Sequence, residues 1–526
     1  MTAMPQIKPG LEALKSALGA EAVLTDTQTC ALYSQDVYTE AALPVDAVLR
    51  PADKAALQVA VRTATQHGLA VFPRGGGWSY SDAYLPNRQG SVCLDTALLN
   101  RIEEINAEDG YVTVEAGCTW KALDEALAKE GMRAEFWGPL SGAKATIGGG
   151  ISQGALSLGS AKCGVSAEAV LGMEIVKADG TIFATGSHGQ AGKSPFFRNY
   201  GPDLTGIFCG DAGALGIKAT VTLRLQPRAK FVQGLSFGFD DFKSAIDGMN
   251  AIAKTGKVTE SFGFSRYAME NVLKSAGLME DIKMMFAVGK ASGGVFGGLV
   301  QMTKMAIAGR SFLGASNFFS HVVVEADHPQ ELKGAVSIVR AAGGRHGRDL
   351  PNTAPTVMRA EPFMPYPVVS MKGERCLPLH GILPFSRTVE FHEGMEALRV
   401  KHADIIAENE IIIPAMYSTV STNAFLYEPV LYWRDSPNEF HKEHTIPDML
   451  EMMAPEDNIQ GRKAVETVRA DIVALIHESG GVHLQIGKTY PYLLDRNEDQ
   501  LMMLKQLKTQ MDPEGLINPG ALGLGA

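Results

Sequence analysis

"VFPRGGGWSYSDAYLP", residues 71–86, sets three consecutive glycines behind Arg74 and follows them with Trp78, Ser79 and Tyr80. Ordering three glycines is costly, because glycine loses more backbone freedom on folding than any other residue. Such a run persists where something approaches the backbone too closely for side chains. The preceding "LAVFP" reads as a short strand, so the glycines form a loop at a strand end. Successive small residues let backbone N–H groups converge on an anion. The loop lacks the GK[ST] of a Walker motif and the GxGxxG of a Rossmann turn. Alone, it is compatible with a structural turn.

The surroundings narrow the choice. "VDAVLR" reads as a strand, Pro51 stands where a helix start tolerates proline, and "KAALQVAVRTATQHG" has helical apolar spacing ending at Gly68. "RIEEIN" and "YVTVEAG" flank a Glu-Asp-Gly turn and read as a hairpin. A second glycine cluster, "ATIGGGISQGALSLGSAKCG", and a third, "GDAGALGIK", follow beside further strands. Three glycine-rich loops, each next to a strand, suggest one elongated ligand between two small sheets. A dinucleotide has that shape. Pro227 marks a plausible boundary, after which segments lengthen and strand-like stretches such as "SHVVVEAD" and "STNAFLYEPVLYW" alternate with helices.

Bulk properties fit a globular enzyme-sized chain. Its 526 residues are a soft prior for two or three domains; 45% are hydrophobic and the formal net charge is −10. No basic tract of nucleic-acid type appears. Six scattered cysteines without a CxxC pair predict neither a disulfide framework nor a zinc site, and suit a reducing compartment. The N-terminal stretch has no basic region followed by an apolar core, so no signal peptide is expected. No apolar window has the length of a spanning helix. The expected location is cytoplasmic.

"PRGGGWSYSDAYLP", "ATIGGGISQGALSLGSAKCGVSAEAVLGMEIVKADG", "GPDLTGIFCGDAGALGIKATVTLRL" and, at the end, "MDPEGLINPGAL" resemble the signature segments of the vanillyl-alcohol oxidase/p-cresol methylhydroxylase (PCMH) flavoproteins. In the FAD domain the resemblance is nearest the D-lactate/glycolate dehydrogenase-like branch. It implies an α+β fold: a two-subdomain PCMH-type FAD-binding domain (1–228), a cap domain with a large antiparallel sheet covered by helices (229–480), and a C-terminal segment (481–526) returning to the FAD domain. It implies FAD as cofactor. Pro73, Arg74, Gly75, Gly76, Gly77, Trp78, Ser79 and Tyr80 would wrap the pyrophosphate. Thr146, Ile147, Gly148, Gly149, Gly150, Gly154, Gly210, Gly213, Gly216, Ile217 and Asn518 would hold the rest. In the berberine-bridge-type branch the first loop reads "GGHSY", and its histidine bonds the flavin covalently. Trp78 cannot, so FAD is expected to be noncovalent, with a link from a cap histidine left open.

The flavin carries hydride chemistry, and the protein must supply orientation, a base and charge stabilisation. "GVHLQIGKTYPY" supplies His483, Lys488 and Tyr490, and resembles a "HWGK"-like segment whose lysine approaches the flavin. Lys488 is expected near flavin N1 or the substrate, with Tyr490 as proton partner. His380, in "RCLPLHGILPFSR", is a candidate general base, although a lone histidine in an apolar run is more often a core residue. His441 and His444 in "FHKEH" have i, i+3 spacing but no third ligand, and no metal site is expected. The HxGDGNxH and EHG motifs of the 2-hydroxy acid branch are missing, as are the acidic residue and "EYRT"-like segment of the phenol branch.

The expected activity is therefore hydride removal from a C–OH group, of a secondary alcohol or 2-hydroxy acid, to flavin N5. Phenolic or benzylic alcohols are the alternative, and a noncatalytic flavin-binding, membrane-associated protein is the alternative of another class. Expected partners are a small-molecule alcohol and an acceptor: oxygen, a quinone or a cytochrome. No nucleic acid partner is expected, and self-association into a homo-oligomer stays open. Segment 283–319, with basic residues and no acid, is a candidate for peripheral contact with the inner membrane.

Overall fold

A computed structural model describes residues 7–269, 316–350 and 372–525, together with Pro355, Met358, Arg359, Pro362, Phe363 and 368–370. The 283–319 segment lies outside the described residues except for 316–319, the last two of which open strand Phe318–Ala326.

Two small sheets build the N-terminal half. In the first, Val23–Leu24, Ala47–Leu49, Ser91–Asp95 and Ala70–Arg74 lie in that order, the last two pairs parallel. Helix Lys54–Gln66 supplies the crossover that parallel pairing requires. Its N-cap is Asp53, whose carboxylate accepts from the Ala56 amide at 2.8 Å, so the helix starts beyond Pro51. The second sheet is antiparallel, in the order Ile102–Asn106, Tyr111–Glu115, Ile217–Pro227, Val170–Val176, Ile182–Ala184, with Met132–Ala134 also pairing onto Ile217–Pro227. Its core centres on Trp120, Phe136, Ile147, Ile151 and Val221, all fully buried.

The remaining sheet has nine strands among the described residues and is antiparallel throughout. Its central order is Phe231–Phe239, Phe318–Ala326, Val258–Ser265, Ala415–Val420, Ala424–Trp433, Gly381–Pro384 and Val482–His483. Side chains alternate across a strand. One face, carrying Phe237, Val322, Tyr417, Phe425, Tyr427 and Leu377, packs beneath helices Phe242–Ala253, Pro329–Gly343, Thr388–Lys401 and Ile459–Glu478. The opposite face carries His380, Glu428, Ser418, Phe262, Glu260 and Glu325. This face meets the N-terminal half. Phe262 packs on the second sheet's core, Glu260 accepts from the Gly159 amide at 2.6 Å, and Glu325 pairs with Arg133 at 2.8 Å. The fold is α+β: two small sheets in the N-terminal half and a helix-covered antiparallel sheet in the cap.

The chain leaves the cap sheet after His483 and returns to the first sheet, where Val71 forms a parallel bridge with Ile517. Two hydrogen bonds close it: Val71 N–H to Leu516 O (2.7 Å) and Asn518 N–H to Val71 O (2.8 Å).

Beneath the cap, Asp435 is fully buried. It accepts from Arg462 Nε (2.6 Å), Trp433 Nε1 (3.2 Å) and the amides of Ser436 and Asn458, and Arg375 Nη1 lies at 3.3 Å. Removing one partner of such a network strands the buried guanidinium of Arg375. Asp435→Ala is expected to cost about 3–5 kcal/mol of stability, read as a lowered denaturant midpoint; an unchanged midpoint would show the network to be energetically silent.

Candidate functional site

A cleft of about 130 Å³ opens between the two small sheets. Of the sequence-predicted residues, Pro73, Arg74, Gly75, Gly76, Gly77, Trp78, Ser79, Thr146, Gly148, Gly149, Gly150, Gly213, Gly216 and Ile217 line it. Tyr80, Ile147, Gly154, Gly210 and Asn518 do not. Ser141, Ser152, Gln153, Lys218 and Gln485 also line it, and the sequence reading missed them.

The two principal glycine runs do different work. The amides of Gly75, Gly76 and Gly77 donate to no protein acceptor among the described residues, whereas those of Gly148, Gly149 and Gly150 are bonded to Ala116 O, Thr146 Oγ1 and Thr146 O. The first run is thus an open set of donors suited to an anion. The second opens helix Ile147–Gln153, capped by Thr146, which the sequence reading left as loop. Its glycines permit close packing: a Cβ on Gly148 would lie 2.7 Å from Ala116 Cβ, and one on Gly150 would lie 2.8 Å from Trp120 Nε1.

The first run is also packed on its far side. A Cβ on Gly76 would lie 2.2 Å from Lys144 O, one on Gly75 2.2 Å from Thr146 Oγ1, and one on Gly77, at φ 79°, 2.3 Å from the Arg74 guanidinium. The missing side chains therefore make room for the neighbouring loop, while the N–H groups stay free. Arg74 is buried against the rings of Tyr33 (4.2 Å) and Tyr84 (5.5 Å). At the third glycine segment, Lys218 Nζ donates to Asp211 Oδ1 at 2.6 Å, and both are buried. Ala212 and Gln485 line the cleft with φ of 49° and 54°, the left-handed region that non-glycine residues rarely occupy. Strain of this kind clusters at functional sites, and sequence alone carries no signal for it.

Trp78 stands at the cap end of the cleft, half-buried, edge-to-face with Phe440 at 5.8 Å and 5.9 Å from the His444 ring. Trp78 Nε1 and Gln153 Oε1 are buried without partners among the described residues. Open amides and orphaned polar atoms along the cleft fit an anionic, polar ligand such as a dinucleotide.

Lys488 is not in the lining. Nζ donates to Leu85 O (2.6 Å) and lies 3.1 Å from Asn518 Oδ1. Burial pulls its ammonium down to about 7, against the pull of Asp82 and Asp36. Asn518 Nδ2 in turn donates to Ala83 O and Ala212 O. Both residues hold cleft loops from behind, because they sit on the C-terminal segment that returns from the cap.

His380, His483 and Tyr490 do come together, with Glu428 as an unforeseen fourth member. Tyr490 Oη accepts from the His380 amide at 3.0 Å, and the His483 ring stacks on Tyr490 at 4.3 Å. His380 Nε2 lies 3.8 Å from Glu428 Oε2. The backbone of His380 also faces the His483 ring. Burial pulls His380 and His483 down to about 4 and pushes Glu428 up to about 7 and Tyr490 up to about 12. Gln485, two residues beyond His483, lines the cleft, and its amide donates to Gln153 O at 3.1 Å. The patch thus borders the cap end of the cleft. Glu428 was hidden in the sequence because a carboxylate inside "AFLYEPVLYW" carries no motif.

Residues 45–186 match the FAD binding domain family. The chain is 28% identical over 247 residues to a probable mitochondrial D-lactate dehydrogenase of Danio rerio, covering 47% of this chain and 48% of that one. It is 29% identical over 223 residues to glycolate oxidase subunit GlcD of Bacillus subtilis, covering 42% and 45%. The chain thus spans about half the length of these curated relatives. The structure of p-cresol methylhydroxylase with substrate bound superposes with a TM-score of 0.73 at 15% identity, over 98% of this chain and 96% of that one. FAD is the cofactor of the domain.

Gly76→Val is expected to push apart the loops at 76 and 144 and to cut the FAD:protein ratio at least tenfold; a normal ratio with unchanged melting would sink the loop-docking reading. Lys488→Met is expected to lower both melting temperature and FAD retention. Slowed flavin reduction with full retention would instead place Lys488 in the chemistry.

Proposed function

We propose that this chain, a flavoprotein of the vanillyl-alcohol oxidase/p-cresol methylhydroxylase family on its D-lactate/glycolate dehydrogenase side, is an oxidoreductase that removes a hydride from a C–OH carbon. The observation that supports this best is the polar patch of His380, Glu428, His483 and Tyr490, tied to the cleft through Gln485, two residues beyond His483. Bound FAD would accept the hydride. The open amides of Gly75 to Gly77 would hold the pyrophosphate, and Arg74 would add buried positive charge beneath it. Gln153 and Gln485 would donate to or accept from the polar edge of the ring system. The cap sheet covers this end and excludes water, which strengthens every electrostatic contact inside.

The substrate would lie between the cap face and the cleft. Val430 stands on a strand position that alternates with the helix-packed residues, on the face that carries Glu428. A proton acceptor is required there, and the patch supplies candidates that are uncharged or poised near neutrality. No helix among the described residues is long and apolar enough to cross a membrane.

Anaerobic mixing of the FAD-loaded protein with a panel of secondary, benzylic and 2-hydroxy acid alcohols is expected to bleach the oxidised flavin absorbance with at least one of them. No bleaching by any member, in protein carrying full FAD, would favour a binding protein without turnover. Acid precipitation is expected to leave the flavin in the supernatant, since an indole at position 78 forms no bond to it. A yellow pellet would locate a covalent link at another side chain.

A further inference from the structure

We propose that Glu428 is the group that takes the substrate's hydroxyl proton, and that its charge makes the site select neutral alcohols over 2-hydroxy acid anions. This rests on the oxidoreductase reading above and names the substrate class of that same site.

Glu428 and His380 are a cross-strand pair. Pro378 registers with Val430 and Gly381 with Tyr427, which sets His380 opposite Glu428 on one face of the cap sheet. That face is turned toward the FAD domain, as Phe262 and Glu260 show. The Glu428 side chain is 15% exposed and, among the described residues, its carboxylate has no hydrogen-bond donor, with His380 Nε2 at 3.8 Å. Groups facing it from the packed elements are His380, Cys376 and Tyr490, with His483 behind Tyr490. None of these is a resident cation. Burial holds His380 neutral near pH 7, so it does not neutralise the carboxylate. Burial also brings Glu428 up to about 7, the range in which a general base is most effective.

In the proposed step the alcohol O–H breaks and its proton passes to Glu428. The C–H bond breaks with its electron pair, which leaves as hydride to FAD. A C=O bond forms; the alcohol is oxidised and FAD reduced, so two electrons and both hydrogens are accounted for. In a 2-hydroxy acid the carboxylate sits on the carbinol carbon, one bond from the hydroxyl carbon. It would be held within a few ångströms of Glu428 in a site of low dielectric, where like charges repel strongly. A neutral alcohol of the same shape escapes that cost.

The test compares matched pairs that differ only in the charged group: 1-phenylethanol with mandelate, and 2-propanol with lactate, each as both enantiomers where chiral. The readout is the anaerobic single-turnover rate of flavin bleaching in the FAD-loaded protein. The neutral member of at least one pair is expected to react about tenfold or more faster, with a rate that rises with pH through about 7. That sign follows because the carboxylate must be unprotonated to accept the proton. Glu428→Gln is expected to slow the neutral alcohol at least about 100-fold, to abolish the pH limb and to narrow the ratio within each pair, at unchanged FAD content. Glu428→Asp should keep the limb, displaced, which guards against a Gln variant that merely misfolds. Independently of turnover, infrared difference titration should show a carboxylic acid band that is lost as pH rises through about 7 and is absent from Glu428→Gln. Faster reduction by mandelate or lactate, an unaltered limb in Glu428→Gln, or no such band would overturn the proposal while the oxidoreductase reading stood. Failure of every alcohol to reduce the wild-type flavin would remove both.

Discussion

The contact between the backbone at Gly76 and the carbonyl of Lys144 governs the rest of the site. Two loops from different small sheets come within a distance that no Cβ tolerates, 2.2 Å from where it would stand. The approach aligns the open amides of residues 75–77 with the glycine-opened helix at 147–153, and the cleft exists because the two are held so. Glycine is needed here for protein–protein packing. Its benefit to a ligand is indirect: the chain turns its N–H groups outward because its Cα–H faces are occupied.

The second constraint is the junction between that cleft and the cap. Arg133–Glu325 and the Glu260–Gly159 hydrogen bond cross it, and Arg359 stacks on Trp137 at 3.7 Å while pairing with Glu325. Buried ion pairs seldom add much net stability, since desolvation offsets the Coulomb gain, but a misplaced partner is costly. Such pairs suit fixing a register between two domains. The cap face that carries His380 and Glu428 is thereby set over the FAD domain.

Much of this was legible in the sequence where composition follows geometry. Glycine runs beside strands mark the cleft, and the hairpin at Glu108–Gly110 and the strands read in "SHVVVEAD" and "STNAFLYEPVLYW" are present. The helix at Ile147–Gln153 was illegible because three glycines argue against helix, and only packing against Ala116 and Trp120 justifies them. Lys488 is a different case. Its motif points to chemistry, but which carbonyl a lysine reaches depends on how the C-terminal segment folds back, and here it reaches Leu85 O.

Glu428 was invisible for a different physical reason. In "AFLYEPVLYW" every neighbour is apolar, so local sequence offers only a misplaced charge. Its meaning comes from register: a two-residue alternation sends Tyr427 into the helix-packed core and turns Glu428 to the other face, and antiparallel pairing brings His380 opposite. A slip of one residue would turn the carboxylate to the helix-packed face, beside Phe391 and away from the FAD domain. The strand's own hydrophobic pattern forbids that slip. The same pattern that stabilises the cap therefore holds an acid on the face toward the cofactor domain, and the functional residue is specified by the core residues on either side of it.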